Sequence, residues 1–135
     1  MSRNTEEDLI RCAIGARARA YAPYSSHPVG AAILDEHGAL HAGCNVENAA
    51  YPQGVCAEAS AISAMIMAGG QRITAIAVAG PGPHLCTPCG GCRQKIREFA
   101  GPETPVLVCG PDGLQRRFTL AALLPESFGP ENLDL

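Results

Sequence analysis

Residues 72–80 of this chain read RITAIAVAG, a nearly continuous apolar run closed by glycine. A strand with one wet face alternates apolar and polar residues, whereas a strand without that alternation is covered on both faces. This run is the strongest constraint in the sequence, because it demands a helical layer above and below it. A second strand is predicted at 105–110, PVLVCG, after a stretch with room for a loop and one short helix. A right-handed crossover through that helix joins the two strands.

Local signals supply the remaining elements. Thr5 and Asp8 have the spacing of a capping box, and Leu9, Ile10, Ala13, Ile14, Arg17 and Tyr21 follow at helical intervals. They predict a helix over 5–20, ended before Pro23. VGAAILD at 29–35 and ALHAGC at 39–44 predict a hairpin turning at His37-Gly38, and 45–55 reads as a loop. Residues 56–68 are rich in Ala, Ile and Met and stop at Gly69-Gly70, which predicts a helix apolar on most sides and buried. A short helix is expected at 91–99, a turn at 111–113, a strand at 115–119 and a helix at 119–125 capped by Thr119. The order predicts an α/β fold: a three-layer α/β/α sandwich around a central mixed five-stranded sheet, in a single domain over 1–135.

Composition narrows the classes. With 135 residues and 47% apolar residues the chain can bury a core, and a net charge of -3 argues against a basic nucleic-acid surface. The start, MSRNTEEDLI, lacks the basic and apolar regions of a signal peptide, and no apolar run reaches the roughly 18 residues of a membrane span. A cytoplasmic protein is expected. Seven cysteines in such a setting point to a metal site and buried thiols rather than to disulfides.

The cysteines divide by surroundings. Cys12 on a helix and Cys109 in an apolar strand read as core residues, and Cys44 at a strand end reads as structural. Cys86, Cys89 and Cys92 sit among Pro and Gly at regular spacing, with no core to fill. Cys89 and Cys92 open a helix three residues apart, so their sulfurs can converge on one ion, and Cys56 sits at another predicted helix start. Both helix N-termini favour thiolates. Three protein ligands leave open the fourth tetrahedral position that catalytic zinc needs. Alternatively, Cys86 closes a four-thiolate structural site, or C-x2-C-x2-C at 86–92 with Cys56 holds an iron–sulfur cluster.

Glu58 favours the open site. A lone glutamate is ordinarily a solvated surface residue, but this one lies in VCAEASAISAMIMAGG, where a carboxylate is costly without a partner. Beside an open zinc position its partner is the activated water, and a partly buried carboxylate has the raised pKa that suits a proton shuttle.

The pairing of C-A-E with P-C-x-x-C is the three-cysteine form of the zinc-deaminase signature. Together with YSSHPVGAA at 24–32, GCNVENAAYPQGVCAE at 43–58, PCGGCRQ at 88–94 and LLPESFGP at 123–130, it resembles the small homotetrameric zinc-dependent cytidine deaminases. The resemblance covers roughly 20–130. It implies Zn2+ held by Cys56, Cys89 and Cys92, with Glu58 moving protons between water, the pyrimidine ring nitrogen and the departing ammonia. Asn45 and Glu47 resemble the pair that binds the ribose 3'-hydroxyl, and the backbone at Ala57 would hold the base. Phe128 resembles the aromatic residue that a neighbouring subunit lays over the base, and Tyr51 a second cross-subunit residue. The implied assembly is a homotetramer with shared active sites.

Two positions depart from the family pattern. His27 stands near the base pocket where the family usually has Phe, and the familiar C-A-E-R has become Cys56-Ala57-Glu58-Ala59. The missing arginine would donate to a thiolate and offset the -1 charge of three thiolates around a divalent ion. Arg93 is the remaining candidate donor. The implied activity is deamination of cytidine and deoxycytidine in pyrimidine salvage. The alternatives are deamination of a modified aminopyrimidine nucleoside and a non-catalytic structural metal module. An acidic, short chain with an aromatic lid is a poor polynucleotide deaminase.

Overall fold

The computed structural model describes residues 1–133. Five strands form one mixed sheet: β1 is Gly30–Asp35, β2 Leu40–Cys44, β3 Ile73–Ala79, β4 Pro105–Gly110 and β5 Gly113–Thr119. Their order is β2-β1-β3-β4-β5. The apolar run at 72–80 is the central strand, antiparallel to β1 and parallel to β4. Antiparallel hairpins add β2 and β5 at the edges. Gly38, with φ +80, makes the first hairpin turn.

Four α-helices complete the layers: α1 Arg3–Arg17, α2 Ala57–Met67, α3 Gly90–Phe99 and α4 Leu120–Leu123. Successive strand residues face opposite sides. Ala75, Ala77 and Ala79 of β3 therefore join Ala32, Leu34, Leu107 and Cys109 under Leu9 and Ala13 of α1. Ile76 and Val78 face the other way, with Ala31, Ile33 and Val106, and pack against Ala61, Ile62 and Met65 of α2 and Ile96 of α3. The expected three-layer sandwich is present.

The helices approach the sheet where it has no side chains. A Cβ on Gly30 would lie 2.2 Å from the Ala13 carbonyl oxygen, and one on Gly43 would lie 2.3 Å from the Ala61 backbone nitrogen. Gly43 thus sets the distance between β2 and α2, the helix that carries Glu58.

Several boundaries differ from expectation. Ser2, not Thr5, caps α1: its hydroxyl accepts from the Thr5 backbone N–H, and the helix ends at Arg17 rather than 20. The residues after Ser2, RNTEED at 3–8, are all polar, so no apolar period marks the true start of the helix in the sequence. The loop 45–55 is more ordered than its composition suggests. Val46 bridges both Tyr21 and Val55, and a 3-10 helix spans Tyr51–Gln53. α2 is buried on one side only: Ile66 is 45% and Met67 87% exposed. Cys109 is buried as expected, whereas Cys12, expected in the core, is half-buried at its edge, and Cys44 is half-buried at the end of β2. No helix among the described residues is long and apolar enough to cross a membrane.

Candidate active site

One end of the sheet gathers the chemistry-bearing residues. The N-terminal end of β1 lies beside the C-terminal ends of β2 and β3, through the pairs Gly30–Cys44 and Gly30–Ala79. Val29, Asn45 and the loop after Gly80 therefore meet there, and α2 and α3 start above them. Ligands of α/β sheets bind at such carboxyl ends.

Cys56 is the N-cap residue of α2 and Cys89 that of α3. Cys92 lies within the first turn of α3 and is fully buried. Their three sulfurs lie within 4.8 Å of one another. Neither capping cysteine makes a full side-chain capping hydrogen bond. Two sets of first-turn N–H groups thus face a cluster that becomes anionic on binding a metal. The Cys92 backbone amide lies close enough to the Cys89 sulfur to draw its thiol below the ordinary value. Burial pushes the Cys56 and Cys92 thiols upward, and the neighbouring Glu58 adds to the rise at Cys92. Protons on these sulfurs give way when a soft divalent cation takes their place. The donor set fits zinc: three convergent thiolates, two helix N-termini behind them and a carboxylate beside them.

That carboxylate is Glu58, on the first turn of α2 and only 4% exposed. Burial raises its pKa, and its own backbone amide and the nearby Cys92 side chain offset part of that rise.

A cleft of about 340 Å³ opens over the cluster, lined among others by His27, Asn45, Glu47, Ala57 and Glu58. Asn45 and Glu47 are held by the chain itself. The Asn45 Oδ1 accepts from the Val29 N–H at 2.8 Å, and its Nδ2 donates to the His27 carbonyl at 3.0 Å. The Glu47 carboxylate accepts from the Tyr24 and Ser25 backbone N–H groups at 2.9 and 3.1 Å and from the Ser25 hydroxyl. The Ser25 hydroxyl, aided by those two amides, lowers the Glu47 pKa, so a carboxylate stands at the cleft wall. Each side chain keeps capacity for a ligand: one N–H and one lone pair on Asn45, and a lone pair on Glu47.

Tyr51 and Phe128 do not line the cleft of their own chain. Tyr51 is 75% exposed beside Tyr24, in an adjoining hollow that shares Ser25 and Glu47 with the cleft. Phe128 is exposed behind α3. The expectation that Arg93 donates to a thiolate is corrected. Its guanidinium faces the Pro88 carbonyl at 2.6 Å, the Leu123 carbonyl at 2.8 Å and the Thr87 hydroxyl at 3.1 Å. Those acceptors lie on the chain entering Cys89 and on the end of α4, so Arg93 ties the metal loop to the C-terminal region. The sequence reading also missed Ser25 and Thr87 in the lining. Ser25 is an unremarked serine before Ser26, whose φ of +56 marks a forced turn that no local pattern announces. Cys86 lines the cleft with its sulfur 3.7 Å from the His27 Nε2, and it lies outside the three-sulfur cluster.

Comparison with known proteins places this arrangement. Residues 3–108 match the family model described as the cytidine and deoxycytidylate deaminase zinc-binding region. A cytidine deaminase of Sporosarcina psychrophila is 42% identical over 127 residues, covering 94% of this chain and 93% of the relative. The crystal structure of cytidine deaminase from Burkholderia pseudomallei superposes with a TM-score of 0.85 at 39% identity, covering 95% of this chain and 100% of that one. That from Mycobacterium leprae gives 0.76 at 43% identity, over 89% and 97%. Fold and site define a zinc-dependent deaminase of the α/β/α class. The chain belongs to the cytidine deaminase family.

Proposed function

We propose that this protein hydrolyses cytidine and deoxycytidine to uridine and deoxyuridine with release of ammonia, serving pyrimidine salvage in the cytoplasm as a single catalytic domain. The observation that carries the reading is the buried Glu58 beside three sulfurs within 4.8 Å, at the floor of a cleft walled by Asn45 and Glu47.

Cys56, Cys89 and Cys92 hold the metal, which when bound supplies a Lewis acid that activates water at neutral pH. Glu58 does the proton work. Its raised pKa lets it accept a proton from the attacking water, protonate the ring nitrogen beside the amino-bearing carbon, and pass a proton to the leaving ammonia. The Ala57 backbone orients the base carbonyl and amino group. Asn45 and Glu47 use their spare hydrogen-bonding capacity on the ribose hydroxyl. His27 lies along the base pocket. Phe128 and Tyr51, exposed and away from their own cleft, serve neighbouring subunits in a homotetramer. The exposed Ile66 and Met67 on α2 supply apolar surface for that assembly.

Ammonia release from purified protein offered cytidine, deoxycytidine, cytosine, CMP, adenosine and a blasticidin-type compound tests the substrate assignment. Turnover of the two nucleosides above all others is expected. A preference for the modified compound would shift the reading to detoxification. Metal analysis showing iron, or zinc with Cys86 as a ligand, would overturn the catalytic centre. Sedimentation tests the assembly, and a fully active monomer would refute shared sites.

A further inference from the structure

Of the three phenylalanines, Phe99 and Phe118 pack against the core while Phe128 is 58% exposed. An exposed aromatic near a chain end is ordinarily carried on a loose segment. This one is clamped. The Arg97 side chain is only 17% exposed. Its Nε donates to the Ser127 Oγ at 2.8 Å, and its Nη2 pairs with the Glu131 carboxylate. Gly129 lies so close over the guanidinium that a Cβ there would meet the Arg97 Cζ at 2.4 Å. One turn earlier on α3, the Gln94 Nε2 donates to the Phe128 carbonyl at 2.9 Å. The backbone is therefore fixed on both sides of Phe128 while its ring faces outward.

We propose that Arg97 is a positioning residue for catalysis: it holds segment 127–131 so that the Phe128 ring is presented, ready oriented, to the base pocket of a neighbouring subunit. The proposal rests on the cross-subunit role assigned to Phe128 above. Pre-orientation matters because an aromatic side chain that must first be ordered loses part of the stacking energy to conformational entropy. The same helix begins with Cys89 and Cys92, so α3 builds its own chain's metal site at one end and steadies the ring for another chain's site further along.

The test uses the zinc-loaded assembly. KM and kcat for cytidine, zinc content, sedimentation and Tm are measured for Arg97→Met, Arg97→Lys and Gly129→Ala, each alone and combined with Phe128→Ala. Phe128→Ala alone is expected to raise KM roughly ten- to a hundredfold, as loss of a base–aromatic stack does. Arg97→Met should raise KM about three- to tenfold with wild-type zinc content and assembly. Arg97→Lys keeps the charge opposite Glu131 but not the fork, and should fall between. Gly129→Ala keeps the arginine yet displaces its guanidinium, and should raise KM in the same direction. In the Phe128→Ala background none of the three should raise KM further, because the ring they position is gone. Equal KM effects in both backgrounds would make Arg97 a general structural anchor and overturn the proposal. So would an unchanged KM for Arg97→Met while Phe128→Ala raises it. An unchanged KM for Phe128→Ala itself would overturn the lid reading and, with it, the positioning role.

Discussion

Gly43→Ala tests how closely the chemistry depends on one missing side chain. The added Cβ would lie 2.3 Å from the Ala61 nitrogen, 2.6 Å from the Ala57 carbonyl oxygen and 2.8 Å from the Ser60 carbonyl carbon. All three are backbone atoms of α2, so no rotamer change relieves the contact. Reaching even 3.0 Å requires α2 and β2 to separate by roughly 0.7 Å. The contact surrounds the first turn of α2, so Cys56 and Glu58 move with it relative to Cys89 and Cys92. Overpacking of this kind costs ~1–3 kcal/mol, which lowers Tm by roughly 4–12 °C for a chain of this size. Displacements approaching 1 Å cost about 10²-fold in rate. The expected variant therefore folds, with kcat/KM for cytidine reduced on the order of 30- to 100-fold. Gly15→Ala is the control: nothing lies within 4 Å of its Cβ, and an exposed helical site should gain about 0.5–1 kcal/mol with unchanged kcat. A Gly43→Ala enzyme with Tm within about 1 °C of wild type and kcat/KM within about twofold of it would refute the close-approach reasoning.

Other expectations are simpler to read out. Glu58→Gln should retain zinc and fold but lose ~10²–10⁴-fold in kcat, and more than about a tenth of wild-type activity would remove Glu58 from proton transfer. Chelation of zinc should abolish turnover and raise amide hydrogen exchange in the first turns of α2 and α3, where no side chain takes over the capping; unchanged protection there would mean that the metal does not hold the helix starts. Far from the cleft, the Asp35 carboxylate meets the His41 Nε2 at 2.7 Å and accepts from the His37 and Ala39 N–H groups. Led by His41, these contacts lower its pKa from 3.8 to about 2. The folded pKa lies below the unfolded one, so this stabilisation is complete above about pH 4 and is lost as pH falls toward 2. Urea melts should show wild type more stable than Asp35→Asn at pH 6, with the difference shrinking below pH 4; a difference independent of pH would contradict the assignment.

The legible parts of the fold were those written in periodicity and punctuation. The nearly continuous apolar run of β3 announced a strand covered on both faces, and glycine and proline bracketed both hairpins and α2. The metal cluster was legible in the three-residue spacing of Cys89 and Cys92 at one helix start and in Cys56 at another, although the expectation that 86–92 has no core to fill is corrected: Cys92 is fully buried and Cys86 packs against the core. What stayed hidden depends on tertiary geometry. Arg93 follows the thiol Cys92 in sequence, yet its guanidinium turns to carbonyl oxygens of Pro88 and Leu123, because the end of α4 comes to rest beside α3. Ser25 gave no signal, since its role comes from Glu47, 22 residues further along the chain, folding back onto it. Burial of only one side of α2 was legible, by contrast, because its apolar residues spread around more than one face and a single chain's core covers one broad stripe.

Asn45 and Glu47 bear on how such a cleft changes over evolutionary time. Each side chain also fastens the 24–29 loop, so a substitution there removes the wall together with its recognition group. Drift in substrate range is thereby channelled to residues that face the cleft without tying the loop by their side chains. The imidazole of His27 and the thiol of Cys86, 3.7 Å apart across the opening, are two such residues. With Asn45 and Glu47 in their proposed role, new preferences would arise by exchanging this pair over an unchanged ribose anchor, leaving the sugar as the inherited part of recognition and the surroundings of the base as the variable part.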